Sequence, residues 1–388
     1  TVALFANIQG LIGRIVSSTS EHSVVATTLV LNQADAMLLS FVHEISDWVV
    51  TFDKNMGPEF YDLPVSRDSK EIPYLLDYIP GQERSSISSF LTTRPTSEVM
   101  GLMAPLFREF NVDIADGDMF KSLLEDVRTV SSSLVMQVNT TQNKAFEVLG
   151  TTLTKRFLAK KGLMTEAFLI PIDLHKELFE DLDSESKERA DTLLVNIDTE
   201  NKEIIFTVVE IKCRKHLSET EAEELQEKMQ RQIENTILAL KTHFEVGTAT
   251  EDRLDRELKT LELSNLLAFY ASRADRYHVL DAEIAYEYRR FLADLGNDYS
   301  IRFKKLGLIY NFSQEEKQIK DSWGDTQFYS MGKNVIQDIL SDDVHALETS
   351  RLNESEVERD FMSFFEPDRK ERIVTLRRQD CLLYTSPS

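Results

Sequence analysis

Three residues within the stretch Arg189 to Arg214, RADTLLVNIDTENKEIIFTVVEIKCR, have types and spacing suited to one kind of chemistry: Asp191, Glu210 and Lys212. Two carboxylates brought together disfavour each other's ionised forms, and a hard divalent cation relieves that repulsion. An ammonium group near the cation positions a water or stabilises charge developing on a phosphorane. The chemistry implied is metal-dependent phosphodiester hydrolysis, with Mg2+ or Mn2+ as cofactor. Without such compensation, placing these charges beside an apolar stripe is costly.

The elements that must position them are two strands. Thr192 to Ile197 reads as the first, Asp198-Thr199-Glu200-Asn201-Lys202 reverses the chain, and Ile204 to Lys212 reads as the second. Side chains alternate along a strand, so Ile204, Phe206, Val208, Glu210 and Lys212 share a face. Ile205, Thr207, Val209, Ile211 and Cys213 take the other, and both faces are mostly apolar, as in a strand covered on two sides. Asp191 opens the first strand, where it is expected to meet Glu210 across the pair.

An Asp before one strand and Glu-Ile-Lys ending the next resemble the PD-(D/E)xK nuclease superfamily. By that resemblance Asp191, Glu210 and the backbone carbonyl of Ile211 are metal ligands and Lys212 is the catalytic lysine. Ala190 stands where the name-giving Pro would be. The helix read over Lys144 to Lys161 carries Glu147, which the resemblance makes an acid reaching the metal through water. The implied fold is a restriction-endonuclease-like mixed sheet flanked by helices.

The segments HEISDWVVTFDKNMGPEFYD, YLLDYIP and FLTTRPTSEVMGLMAPLF resemble the region upstream of the nuclease domain in HerA-type ATP-binding (helicase) proteins of bacterial anti-phage systems. That group includes phosphorothioation-dependent DNA restriction, and the resemblance covers most of 40–340. It implies DNA, a C-terminal ATPase domain beyond this chain and other defence-system subunits as partners. No G-x-x-x-x-G-K-[ST] occurs in the sequence, so ATP is not expected to bind this fragment.

Composition bounds the function. At 388 residues, with 42% hydrophobic and 28% charged residues, the chain is long enough for two or three domains. A net charge of −22 argues against a polybasic nucleic-acid binder, since phosphate affinity needs basic surface. It is compatible with a nuclease whose cleft is acidic and whose DNA contacts are local. Two cysteines make no disulfide framework, which suggests a reducing, cytoplasmic setting. Two Cys and seven His show no zinc spacing, and no run has the length of a membrane span.

The expected organisation is α/β throughout. Residues 1–118 form an N-terminal α/β domain with strands at Trp48 to Asp53, Tyr74 to Ile79 and Ser88 to Thr93. Residues 119–345 form the nuclease-like domain, with a helical insertion at about 215–295. Phe168 to Ile172 and Ile301 to Phe312 supply further strands, and Val335 to Leu340 a late helix. An acidic, loosely ordered tail is expected over 346–380, and 381–388 resembles foreign read-through.

Secondary candidates for DNA contact are Lys155, Arg156, Lys160 and Lys161, a basic helix end that the helix dipole also favours. The nuclease resemblance adds Gln230 and Gln232, on the helix read over Glu219 to Phe244, as further candidates; a solvated helix face is their default explanation. His175, after a strand, is expected to be a surface or hydrogen-bonded residue. The reading is therefore an Mg2+-dependent DNA endonuclease domain of a defence protein. The competing reading is a catalytically silent, nuclease-like docking platform.

Overall fold

The computed structural model describes residues 49–51, 74–78, 91–95, 117–130, 142–179, 188–217, 219–245, 255–313, 318–341, 347 and 359–365. In the N-terminal region three short strands, β1 (Val49–Thr51), β2 (Tyr74–Tyr78) and β3 (Leu91–Pro95), form an antiparallel sheet with β3 central. The third strand is shifted toward the C-terminus relative to the expected Ser88 to Thr93. The rest of the expected N-terminal α/β domain, up to residue 116, lies outside the described residues.

The larger sheet has six strands: β4 (Phe168–Pro171), β5 (Thr192–Asp198), β6 (Glu203–Arg214), β7 (Ser300–Asn311), β8 (Gln318–Trp323) and β9 (Thr326–Met331). Their spatial order is β4-β5-β6-β7-β9-β8. The first three are antiparallel, β7 runs parallel to both β6 and β9, and β8 and β9 form a hairpin. The sheet is therefore mixed. The parallel β6–β7 step needs a long crossover, which three helices provide: α3 (Glu219–Phe244), α4 (Arg256–Arg276) and α5 (Ala282–Ala293).

Period-two alternation assigns the faces. Ile204, Phe206 and Val208, with Leu193, Val195 and Ile197, pack against Ile233 and Leu240 of α3, Leu263, Leu267 and Tyr270 of α4, and Tyr288 of α5. Val209, Ile211 and Cys213, with Leu306, Leu308 and Tyr310, pack on the opposite side against α1 (Gly117–Val130), α2 (Gln142–Lys160) and α6 (Lys333–Leu340). Strands β8 and β9 are additions to the strands expected from the sequence. Residues 359–365, within the expected tail, form a helix whose Phe361 and Phe365 are buried in this second core.

Helix α2 is buried around most of its circumference, and its threonines are compatible with that because their hydroxyls are satisfied. Thr151 and Thr152 donate to the carbonyls of Glu147 and Val148, and Thr154 meets the Tyr310 hydroxyl at 3.0 Å. Gly150 lets the helix approach β6 closely. A Cβ there would sit 2.7 Å from Ile211 Cγ2 and 3.3 Å from Cys213 Sγ.

Candidate metal centre

The register places the candidate residues at one end of the sheet. Thr192 pairs with Val209, so Asp191 continues the strand opposite Glu210, on the face that carries Leu193 and Val208. Because β5 starts at Thr192, the Ile211 N–H has no strand partner on that side. The Asp191 carboxylate takes its place, with Oδ2 accepting from Ile211 N at 2.7 Å. Backbone contacts fix Asp191 from both flanks. Its carbonyl accepts from Ile172 N at 3.0 Å, and Ala190 N donates to Thr236 Oγ1 at 2.8 Å.

Glu210 is fully buried. The Lys212 ammonium forms an ion pair with Oε1, and hydrogen bonds with Lys212 and with Asp191 act on the carboxyl in opposite directions. Burial pushes Glu210 well above its ordinary pKa, and the Asp191 charge adds to the shift against the opposing Lys212. Burial likewise raises Asp191, with Glu147 and Asp173 adding to it and Lys212 and the Ile211 N–H opposing. For Lys212 burial acts downward, but the charges of Asp191 and Glu210 outweigh it and hold the ammonium protonated.

The donor set fits a hard cation. Carboxylate oxygens from Asp191 and Glu210 meet at a strand end, and two carboxyls whose pKa values are both raised by burial are what a divalent ion would compensate. Among the described residues no group of three or more His, Cys, Asp or Glu could hold a metal by itself. Two protein carboxylates suit Mg2+, which keeps several waters and does not need an all-protein cage. Half-buried Glu147 borders the site closely enough to act on Asp191 through its charge.

The cations of α2 have other work. Lys155 and Arg156 pair with Asp126 of α1 at 2.5 and 2.8 Å. Arg156 also donates to the Leu340 carbonyl at 2.9 Å and to Ser122. Lys160 donates to the carbonyls of Asp338 and Ser341 at 2.7 and 2.6 Å. These three side chains tie α1 and the end of α6 onto α2, so the structure uses them internally. Lys161 is half-buried just past the end of α2.

Gln230 donates to Glu234 on the same helix, and Gln232 to the Arg189 carbonyl at 3.0 Å. Gln232 thus supports the chain leading to Asp191. Asn235 does the same through the Glu188 carbonyl, 3.0 Å away. His175 is buried and meets the Tyr270 hydroxyl at 2.8 Å, so its hydrogen-bonded role holds and a surface position does not. The Cys213 thiol is buried, and burial pushes its pKa up to about 12, which leaves it inert at neutral pH.

Sequence patterns gave no signal for several neighbours. Arg189 pairs with Asp173 at 2.8 Å, and Asp173 acts on Asp191 through its charge. The polar row Gln232, Asn235 and Thr236 on α3 reads in sequence as a solvated helix face. Its binding to residues 188–190 is a contact between segments more than forty positions apart. Among the described residues no helix is long and apolar enough to cross a membrane. Comparison of the chain with protein-family models, curated proteins and solved structures finds no match.

Proposed function

We propose that this chain is a divalent-metal-dependent DNA phosphodiesterase, the endonuclease domain of a bacterial defence protein whose ATPase motor lies outside this sequence. The observation carrying the proposal is the fully buried Glu210 beside Asp191, with Lys212 on the same strand face. The mixed sheet between two helical layers, with the acids at the end of two interior strands, supports a restriction-endonuclease-like reading. Resemblance to the nuclease-containing region of HerA-type proteins supports the defence context.

Asp191, Glu210 and the Ile211 carbonyl would hold Mg2+ or Mn2+, which when bound acts as a Lewis acid on the phosphodiester. Lys212, held protonated by its acidic neighbours, serves as a hydrogen-bond donor to the attacking water or to the developing phosphorane charge. The Ile211 N–H orients the Asp191 carboxylate. Glu147 adds a carboxylate at the border, where it can order a water.

A catalytically silent docking platform is the second reading. It is favoured by the internal use of the α2 cations and by the net charge of −22. Plasmid nicking with Mg2+ or Mn2+, together with calorimetric titration of Mn2+, separates the two. The nuclease reading expects cleavage that Glu210→Ala abolishes together with Mn2+ binding. Tight Mn2+ binding that persists in Glu210→Ala removes the proposed site.

A further inference from the structure

Lys155, Arg156 and Lys160 are engaged within the protein, and β6 itself offers another donor for phosphate. The strand continues past Lys212 through Cys213 to Arg214. Alternation puts Arg214 on the same face as Glu210 and Lys212, one side-chain step further toward the strand end. That step is about 7 Å, of the same order as the spacing between neighbouring phosphodiesters along a strand. The Arg214 charge acts on both Lys212 and Cys213, so its guanidinium lies beside the catalytic end of the strand.

Its pairing is unusual for so acidic a protein. Nη1 donates to the adjacent Cys213 carbonyl at 3.0 Å, and among the described residues no carboxylate forms an ion pair with Arg214. A guanidinium carries five N–H donors in a planar fork that matches a phosphate bidentately. Most of these donors are uncommitted. The backbone beneath is pinned, because Phe312 N donates to the Arg214 carbonyl at 2.9 Å and Arg214 pairs with Asn311 of β7. Lys215 and His216 follow directly, so the run Lys212-Cys213-Arg214-Lys215-His216 is a local cationic stretch in a chain of net charge −22.

Building on the nuclease reading, we infer that Arg214 is a substrate-binding residue that holds the phosphate next to the one attacked, giving an acidic protein its local grip on a polyanionic strand. A fixed guanidinium adjoining the scissile position sets the register of the backbone without reading bases. Half-burial favours this role, because partial desolvation strengthens a charge-assisted hydrogen bond.

The test is a fluorescence-anisotropy salt series on the full chain with a labelled DNA duplex in Ca2+, comparing wild type, Arg214→Ala and Arg214→Lys. Arg214→Ala is expected to weaken binding about tenfold. It should also reduce the slope of log affinity against log salt by about 1, the loss of one phosphate contact. Arg214→Lys should keep the slope and recover only part of the affinity, since the charge remains and the fork does not. Mn2+ titration of Arg214→Ala should match wild type, which separates this residue from the metal ligands. Affinity and slope both unchanged in Arg214→Ala would overturn the inference, as would failure of the wild type to bind DNA at any salt. If Mn2+ binding survives Glu210→Ala while the Arg214→Ala slope still drops, the metal reading falls and the phosphate contact stands.

Discussion

Ala190 donates its backbone N–H to the Thr236 hydroxyl over 2.8 Å, and this buried bond anchors the chain just before Asp191 to helix α3. The hydroxyl in turn donates to the Gln232 carbonyl at 2.9 Å, so it is satisfied both as acceptor and as donor. Where the resembled motif has a proline with no N–H to satisfy, this chain has a donor and a partner for it. Thr236→Val would leave the Ala190 N–H buried and unpaired, at a cost of about 1–3 kcal/mol. Urea denaturation should show that loss, and Thr236→Ser should restore most of it. Mn2+ affinity should weaken in the valine variant and recover in the serine variant, because Asp191 follows directly.

Close packing between α2 and β6 gives a second expectation. Gly150→Ala would bring a methyl within 2.7 Å of Ile211 Cγ2 and force the helix or the side chain to move. Overpacking of this kind typically costs about 1–3 kcal/mol. Gly307→Ala would meet the Phe328 ring at 2.2 Å, directly beside Glu210 in the register, and should be at least as destabilising. Thermal or urea unfolding of both variants measures this.

Glu210 and Lys212 should separate metal binding from chemistry. Glu210→Ala removes a proposed ligand and is expected to abolish Mn2+ binding and cleavage together. Its metal-free stability should fall, because the buried Lys212 ammonium loses its Glu210 partner and is left with Asp191. Lys212→Ala is expected to retain Mn2+ binding and lose cleavage, since in the proposed reaction the ammonium acts on the nucleophile or the transition state. Calorimetry alongside plasmid nicking reads both effects.

The raised carboxylate pKa values make metal-free stability depend on pH. Glu210 lies well above its ordinary 4.5 and Asp191 above 3.8, so the folded state binds protons that the unfolded chain has already released. Their contribution is fully present below the ordinary carboxylate values and is lost as pH rises through the folded-state values. Urea unfolding without metal should therefore show higher stability at about pH 5 than at about pH 8, and Glu210→Gln should flatten the difference. Mn2+ affinity should rise over the same interval, because binding displaces those protons. Lys212 does not reverse this trend. Its pKa is raised from 10.5, and the stability it adds is lost only in strong alkali.

The hairpin and the meeting of its charged residues were legible in the linear sequence because they depend on local rules. Side chains alternate with period two, a polar turn separates two β-branched runs, and parity alone puts Glu210 and Lys212 on the face that Asp191 shares. Helices α2 and α3 were legible for a similar reason, their apolar spacing being internal to each segment. Strands β8 and β9 were not. Gln318–Trp323 is polar along much of its length and reaches strand conformation as an edge partner of β9. Nor was the helix at 359–365, whose phenylalanines acquire meaning only against Phe157 and Tyr329.

The fate of the charged and polar side chains was decided by the tertiary structure alone. Lys155, Arg156 and Lys160 have the same types and spacing whether they face DNA or Asp126 and the α6 carbonyls. Gln232, Asn235 and Thr236 likewise look like a wet helix face until residues 188–190 are laid across them. Arg214 reverses the case, a residue unmarked in sequence that lies beside Lys212 with its guanidinium donating to the Cys213 carbonyl. Periodicity specifies which side of its own element a residue occupies. What lies opposite depends on long-range pairing, which no local pattern encodes.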